Sequence, residues 1–343
     1  MKKIWLHSVR AYIKIGLFFY FKEIRLIGAK HIPRDKPVLI LPNHQNALLD
    51  ALLIAAKCGR FSYFLTRAGV FQKPFVSKLL KTLQMLPVYR IRDGWSNLRN
   101  NNSIFESCSD LLNQNEVVVI FPEGRHNLNR TVRPIKKGFT RIVFDTLEKY
   151  PETNLQLIPV GLNFTNAKGF PDSTSIYFGK PLAAKSFVSN NRNQDVVNLR
   201  KVIHSEISKL TTHIPTENYK ETIEKLDALH VNYLNPEEVN NCIANNLENC
   251  EQKPKSKINW LRSLLKGLLI LNIIPPYVIW KFVVQPKIIE LEFTATFRFA
   301  IAITLVPLYL LIICLVLTSV LNLTIGLCYV LFVLILGVLA VKL

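Results

Sequence analysis

Residues 41–50 read LPNHQNALLD and join an apolar run, PVLILP (37–42), to an apolar helical stretch, ALLDALLIAAK (47–57). A buried strand passing into a helix through a few polar residues is the unit of an α/β sheet, where ligands gather at the carboxyl ends of strands. Asn46 stands where an N-cap belongs, which leaves His44 in the turn. His44 and Asp50 are six residues apart, so one continuous helix would hold them about 120° apart. They meet only if His44 stays outside the helix and Asp50, on its second turn, faces back. A histidine whose far nitrogen donates to a carboxylate is a general base for a hydroxyl proton. A capping turn with an unrelated, exposed aspartate fits the same ten residues.

Working outward, EVVVIFPEG (116–124), LQLIPVGLNF (155–164) and TSIYFGKPL (174–182) repeat the strand signature, with helical stretches between the first three runs. The expected fold class is α/β, a mixed sheet with flanking helices over residues 30–190. Polar residues cluster where these strands end. Glu123 and Gly124 follow one apolar run, and glycine permits close backbone approach to a ligand. Arg125, His126, Arg130, Arg133, Lys136 and Lys137 follow, as in a phosphate-binding loop or a solvated basic one. LQMLPVYRIRDG (83–94) ends another apolar stretch with Arg90 and Arg92, and arginine grips phosphate bidentately.

NHQNALLD, PVYR, FPEG with the later KKGF, and LIPVGLNF occur in this order, and together they resemble the four blocks of the glycerolphosphate and lysophosphatidate acyltransferase family over roughly residues 35–185. The resemblance implies a catalytic pair, His44 and Asp50. It also implies acceptor-phosphate binding by Arg90, Glu123 and Gly124, and an acyl-donor site shaped by Pro159. Arg125, one place from the family's arginine, and Lys137 join the substrate-binding set. Five residues, Gln45 to Leu49, separate the pair where the family usually has four. That longer spacing resembles a branch that includes the fungal glycerol-3-phosphate acyltransferases. FPEGRHN also replaces the commoner FPEGTRS.

The resemblance implies transfer of an acyl group from acyl-CoA or acyl carrier protein to 1-acylglycerol-3-phosphate, giving phosphatidic acid. Glycerol-3-phosphate is the alternative acceptor, and an inactive lipid-binding membrane scaffold is the second alternative. No metal or redox cofactor is needed, and the absence of a serine or cysteine nucleophile elbow argues against a hydrolase.

Composition supplies the setting. The 343 residues are 49% hydrophobic and carry a formal charge of +19, which calls for an anionic partner. A nucleic acid is not the expected one, because no recognition motif accompanies the charge. From Phe299 to Ser319, and again from 325 to 341, the chain has no charged residue. Each run suits a membrane-crossing helix of about 30 Å. The short link makes them a hairpin (299–343), and Arg298 and Lys342 at its outer ends place those ends, and the catalytic domain, on the cytoplasmic face of a membrane.

Residues 258–298 are expected to be interfacial or re-entrant, since Pro275 and Pro276 interrupt them and Arg262, Lys266 and Lys281 are costly in hydrocarbon. The basic run Lys253, Lys255, Lys257, Arg262 and Lys266 fits an anionic lipid leaflet. Residues 1–29, with aromatics among lysines and arginines, read as an interfacial amphipathic helix, and 191–257 as a polar helical region. The six cysteines are scattered without metal-ligand spacing, as in a reducing compartment.

Overall fold

The computed structural model describes residues 2–90, 99–248, 250 and 259–343. Arg92, Lys253, Lys255 and Lys257, which figure in the expectations above, lie outside the described residues. Among the described residues, eight strands form one mixed sheet: β1 (Phe21–Ile27), β2 (Val38–Pro42), β3 (Ser62–Arg67), β4 (Met85–Val88), β5 (Val117–Val119), β6 (Gln156–Phe164), β7 (Asp172–Phe178) and β8 (Leu182–Ala183). The order is β1-β7-β6-β2-β5-β3-β4, with β8 beside β6. Strands β6, β2, β5, β3 and β4 are mutually parallel, whereas β7 and β8 run antiparallel to β6 and β1 follows β7. The carboxyl ends of β2 through β6 therefore share one edge with the first residues of β1 and β7.

Strand alternation divides the core. On one face, Val38, Ile40, Val117 and Val119 pack with helices α1 (Lys2–Tyr20) and α2 (Ala47–Lys57). On the other, Leu39, Leu41 and Val118 meet α4 (Asn101–Asn113), α5 (Gly138–Lys149) and α6 (Arg192–Leu210). Helix α3 (Pro74–Thr82) lies between β3 and β4 and has no buried residue.

The structure differs from the sequence reading in four places. The first helix ends at Tyr20, and Phe21–Ile27 is an edge strand whose register shifts between Phe21 and Glu23; such a bulge breaks the two-residue period by which strands are recognised. Strands β3 and β4 add to the four runs read as strands. Helix α6, assigned to a separate polar region, covers the catalytic domain with Leu199, Ile203 and Ile207 fully buried. Its end lies so close to β6 that a side chain at Gly161 would collide with the Leu210 carbonyl. Lastly, Cys242 and Cys250 are disulfide-bonded. They sit at the end of α8 (Pro236–Ala244), where positive φ at Asn246 and Leu247 turns the chain back. Together with α7 (Tyr219–Ala228) they form a small cluster of their own.

Among the described residues, two helices are long and apolar enough to cross a membrane: α11 (Thr294–Val320) and α12 (Leu323–Lys342). Both bases are tied to the start of β1. Arg298 donates to the Tyr20 hydroxyl (2.9 Å) and the Lys168 carbonyl (2.9 Å), and Lys342 donates to the Phe21 carbonyl (2.7 Å). Within α11, Pro307 has no N–H for the Ile303 carbonyl, and the Tyr12 hydroxyl of α1 donates to that carbonyl instead. Helix α9 (Asn259–Asn272) packs along α12. The chain then bends by 102° at Ile273 into α10 (Ile274–Val278) and a π turn (Ile279–Val284). A turn at Leu291–Phe293 leads into α11.

Candidate active site

The turn after β2 is built around one buried oxygen. Oδ2 of Asp50 accepts from His44 Nδ1 (2.8 Å), the Gln45 N–H (2.8 Å) and the Asn46 N–H (2.7 Å). Asp50 is fully buried in the first turn of α2, one turn earlier than expected. Its carboxylate, and not the Asn46 side chain, binds the free N–H groups at the helix start; Asn46 instead donates to the Ala167 carbonyl (3.1 Å). With Nδ1 donating, Nε2 of His44 is left as the acceptor. Ala47 adopts φ 42, a left-handed conformation that a Cβ makes costly. The extra residue between His44 and Asp50 is thus taken up in the turn, which carries the chain from His44 outside the helix to Asp50 inside it. Oδ1 of Asp50 is buried with no hydrogen-bond partner among the described residues.

A second buried carboxylate works on the backbone. Glu123, just past β5, accepts from the His44 N–H through Oε1 (3.0 Å) and from the Arg133 N–H through Oε2 (3.1 Å). Burial pushes its carboxyl up to about 7, against the pull of those two N–H groups and the Arg133 charge. The imidazole of His44 stacks on Phe121 (4.0 Å between centroids, 24° between planes), and the His44 carbonyl accepts from the Asn127 N–H (2.9 Å). Asn43 fixes the other side, exchanging hydrogen bonds with the backbone of Leu162 in β6 (2.7 and 3.1 Å).

The expected site residues fall into three groups. His44 and Asp50 are paired, and Glu123 joins them with its carboxylate facing inward, where it holds the His44 and Arg133 N–H groups. Gly124 (φ 76), Arg125 and Lys137 follow on the exposed loop, where Lys136 folds against Gly124. Arg90 stands at the carboxyl end of β4, on the same edge but three strands from β2, about 14 Å at the usual strand spacing. Pro159 is buried inside β6 opposite Leu41. Its ring packs against Gly179, and β6 continues for five residues beyond it.

Arg130, part of the basic loop, is also structural. Its guanidinium donates to the Phe164 and Thr165 carbonyls (2.9 and 3.0 Å) and lies 3.4 Å over the Tyr233 ring.

Several contributors carried little signal in the sequence. Phe121 is marked only by preceding PEG. Glu290 and Phe293, 164 and 167 residues beyond His126, meet that histidine at 2.8 Å and, ring to ring, 4.9 Å.

A family model described as Acyltransferase matches residues 23–163. A 1-acyl-sn-glycerol-3-phosphate acyltransferase of Borreliella burgdorferi is 26% identical over 158 residues, 46% of this chain and 58% of that protein. The glycerol-3-phosphate O-acyltransferase 1 of Saccharomyces cerevisiae is 24% identical over 97 residues, 28% of this chain and 13% of that one. The crystal structure of a 1-acyl-sn-glycerophosphate acyltransferase from Thermotoga maritima superposes with a TM-score of 0.44 at 20% identity, covering 66% of this chain and 81% of that one. The chain spans about half the length of the curated relatives it matches, 43%, 58% and 51% for three of them.

Proposed function

We propose, from the match of residues 23–163 to the Acyltransferase family model, that the chain is a membrane-bound O-acyltransferase acting on 1-acylglycerol-3-phosphate. The acyl donor is acyl-CoA or acyl carrier protein and the product is phosphatidic acid. The observation that carries this reading is the single Asp50 oxygen that holds the His44 ring and the two following N–H groups at once. That arrangement fixes the tautomer and aims Nε2 away from the aspartate.

Nε2 takes the proton from the free glycerol hydroxyl as the oxygen attacks the thioester carbonyl. The carbon–sulfur bond then breaks, and the departing thiolate receives a proton from the imidazolium, which restores the neutral ring. The new ester forms without a covalent enzyme intermediate, and no step calls for a metal or redox cofactor. Gly124, Arg125, Lys137 and, from β4, Arg90 supply backbone and positive charge for the acceptor phosphate. Holding the phosphate there brings the hydroxyl to His44 and lowers the entropic part of the barrier.

The +19 charge suits acidic donors and an anionic leaflet without invoking nucleic acid. Arg298 and Lys342, both at the domain end of the hairpin, support a cytoplasmic position for the catalytic domain.

A second reading, glycerol-3-phosphate as acceptor, is favoured by the five-residue spacer between His44 and Asp50 and by the likeness to the yeast protein. Membranes containing the protein, incubated with labelled acyl-CoA or acyl carrier protein and each acceptor in turn, separate the two readings. A His44→Ala variant is expected to lose about 10²–10⁴-fold in rate. Undiminished transfer in that variant would falsify the general-base role. A wild type that acylates neither acceptor leaves the inactive lipid-binding scaffold as the surviving reading.

A further inference from the structure

From Phe164 to Phe170, through the loop that joins β6 to β7, every carbonyl has a donor, and most of the donors come from elsewhere in the chain. The Phe164 and Thr165 carbonyls accept from Arg130 (2.9 and 3.0 Å), and the Asn166 carbonyl accepts from the Gly169 N–H within the loop (2.7 Å). The Ala167 carbonyl accepts from the Asn46 side chain (3.1 Å) and the Phe170 carbonyl from Lys266 of α9 (2.9 Å). Arg298 seats α11 on the Lys168 and Gly169 carbonyls between them. A seven-residue connection could close on itself; this one is held from outside at its start, middle and end.

One of the outside donors belongs to the turn after β2. Asn46 is only 2% exposed, and while its side chain holds Ala167, its backbone N–H is one of the three groups on Oδ2 of Asp50 (2.7 Å). A buried amide has no water to replace a lost acceptor, so Asn46 follows the Ala167 carbonyl wherever the loop sets it. The next residue, Ala47, is already strained at φ 42 and leaves little slack on the helix side. At the far end of the loop, the Lys266 ammonium makes a charge-assisted bond to Phe170 and lies 5.8 Å over its ring.

We propose that Lys266 and Asn46 are positioning residues for the His44–Asp50 pair. Lys266 fixes the end of the loop, the Ala167 carbonyl fixes Asn46, and the Asn46 N–H fixes the Asp50 oxygen on which the His44 ring rests. Neither residue touches substrate. A helix outside the sheet, α9, thereby sets the geometry of the turn after β2. The kinetic consequence rests on the acyl-transfer reading of His44, and the structural one does not.

The full-length protein in detergent micelles is assayed with each donor and acceptor. Lys266→Met, which keeps the apolar stem, and Asn46→Ala are each expected to lower kcat about 10-fold with KM unchanged. Lys266→Arg, able to donate to the same carbonyl, restores kcat. The double variant Lys266→Met/Asn46→Ala loses no more than Asn46→Ala alone, because both act along one path. Lys281→Ala, exposed on the π turn after α10, keeps wild-type kcat. Wild-type kcat in Lys266→Met, or an additive loss of about 100-fold in the double variant, overturns the proposal.

Amide hydrogen exchange gives a readout without turnover. In Lys266→Met the Gln45 and Asn46 N–H groups, both bound to Asp50, are expected to exchange about 10-fold faster than in the wild type, while β5 at the centre of the sheet keeps its protection. Unchanged exchange at those two amides overturns the proposal whether or not the enzyme is active. Faster exchange in a protein that transfers no acyl group upholds it and faults the acyl-transfer reading alone.

Discussion

The edge of the sheet around His44 and the apolar hairpin are held by opposite means. At the edge, two buried carboxylates organise the chain: Asp50 gathers one ring nitrogen and two N–H groups, and Glu123 gathers two more N–H groups from different loops. Each side chain is costly to bury and is kept because truncating it would strand several donors at once. In the hairpin, α11 and α12 carry few polar side chains between their bases, and they join the domain through Arg298, Lys342 and the Tyr12 contact with Ile303, beside Ala295 and Phe299, which are buried in the domain's core. Polar contacts thus set geometry at the edge, where chemistry is proposed. In the hairpin they serve only to dock an element that burial in lipid already favours.

The edge is the more fragile of the two, and the largest effect is expected there. Asp50→Asn keeps the shape of the side chain but removes the charge and offers an amide that no longer commands the Nδ1–H tautomer. Transfer is expected to fall about 10³-fold with little change in KM. Steady-state kinetics on both acceptors test this, and an equal loss in KM would mean that Asp50 serves binding.

Glu123→Gln comes next. An amide satisfies one of the two N–H groups and turns a donor toward the other, at a cost of about 1–3 kcal/mol, and the displaced loop is expected to lower kcat about 10–100-fold.

The same residue gives a pH signature. Its folded carboxyl sits at about 7, above its ordinary value of 4.5, so its contribution to stability is fully present below about pH 4.5 and is lost as pH rises through 7. The loss is about 3 kcal/mol. Thermal unfolding in detergent between pH 4.5 and 7.5 is expected to show this decline in the wild type, and a flatter one in Glu123→Gln. A slope retained in full by the variant would assign it to Asp172, which burial likewise raises, to about 6.

The two regions also differ in how much of them could be read from sequence. The contact between His44 and Asp50 was legible because a strand, a turn and a helix are contiguous, and the helical angle alone forced His44 outside α2. The hairpin was legible because uncharged runs of that length have few other fates. Which way the Glu123 carboxylate faces was not legible, since no spacing rule tells whether a carboxylate faces a ligand or its own backbone. Strand β1 was hidden by a bulge, and the place of α6 by its polar outer face. Contacts between the regions left no trace at all. Glu290 meets His126 across 164 residues, and Tyr12 meets Ile303 across 291. Local periodicity carries no information about such pairs.

The Tyr12 contact gives the smallest expected effect and the sharpest test of the contrast. Pro307 leaves the Ile303 carbonyl without its helical donor, and in a lipid setting a bare carbonyl has no water to turn to. Tyr12→Phe keeps the ring and its packing and removes only the hydroxyl. A loss of about 1–2 kcal/mol in hairpin docking is expected, with kcat unchanged. Limited proteolysis at the junction before α11, or hydrogen exchange of α11 around Ile303, reads the docking, while the acyl-transfer assay reads the chemistry. If Tyr12→Phe instead lowered kcat as Glu123→Gln is expected to, the catalytic edge and the hairpin would form one cooperative unit, and the division between a polar-wired edge and a lipid-held anchor would fail.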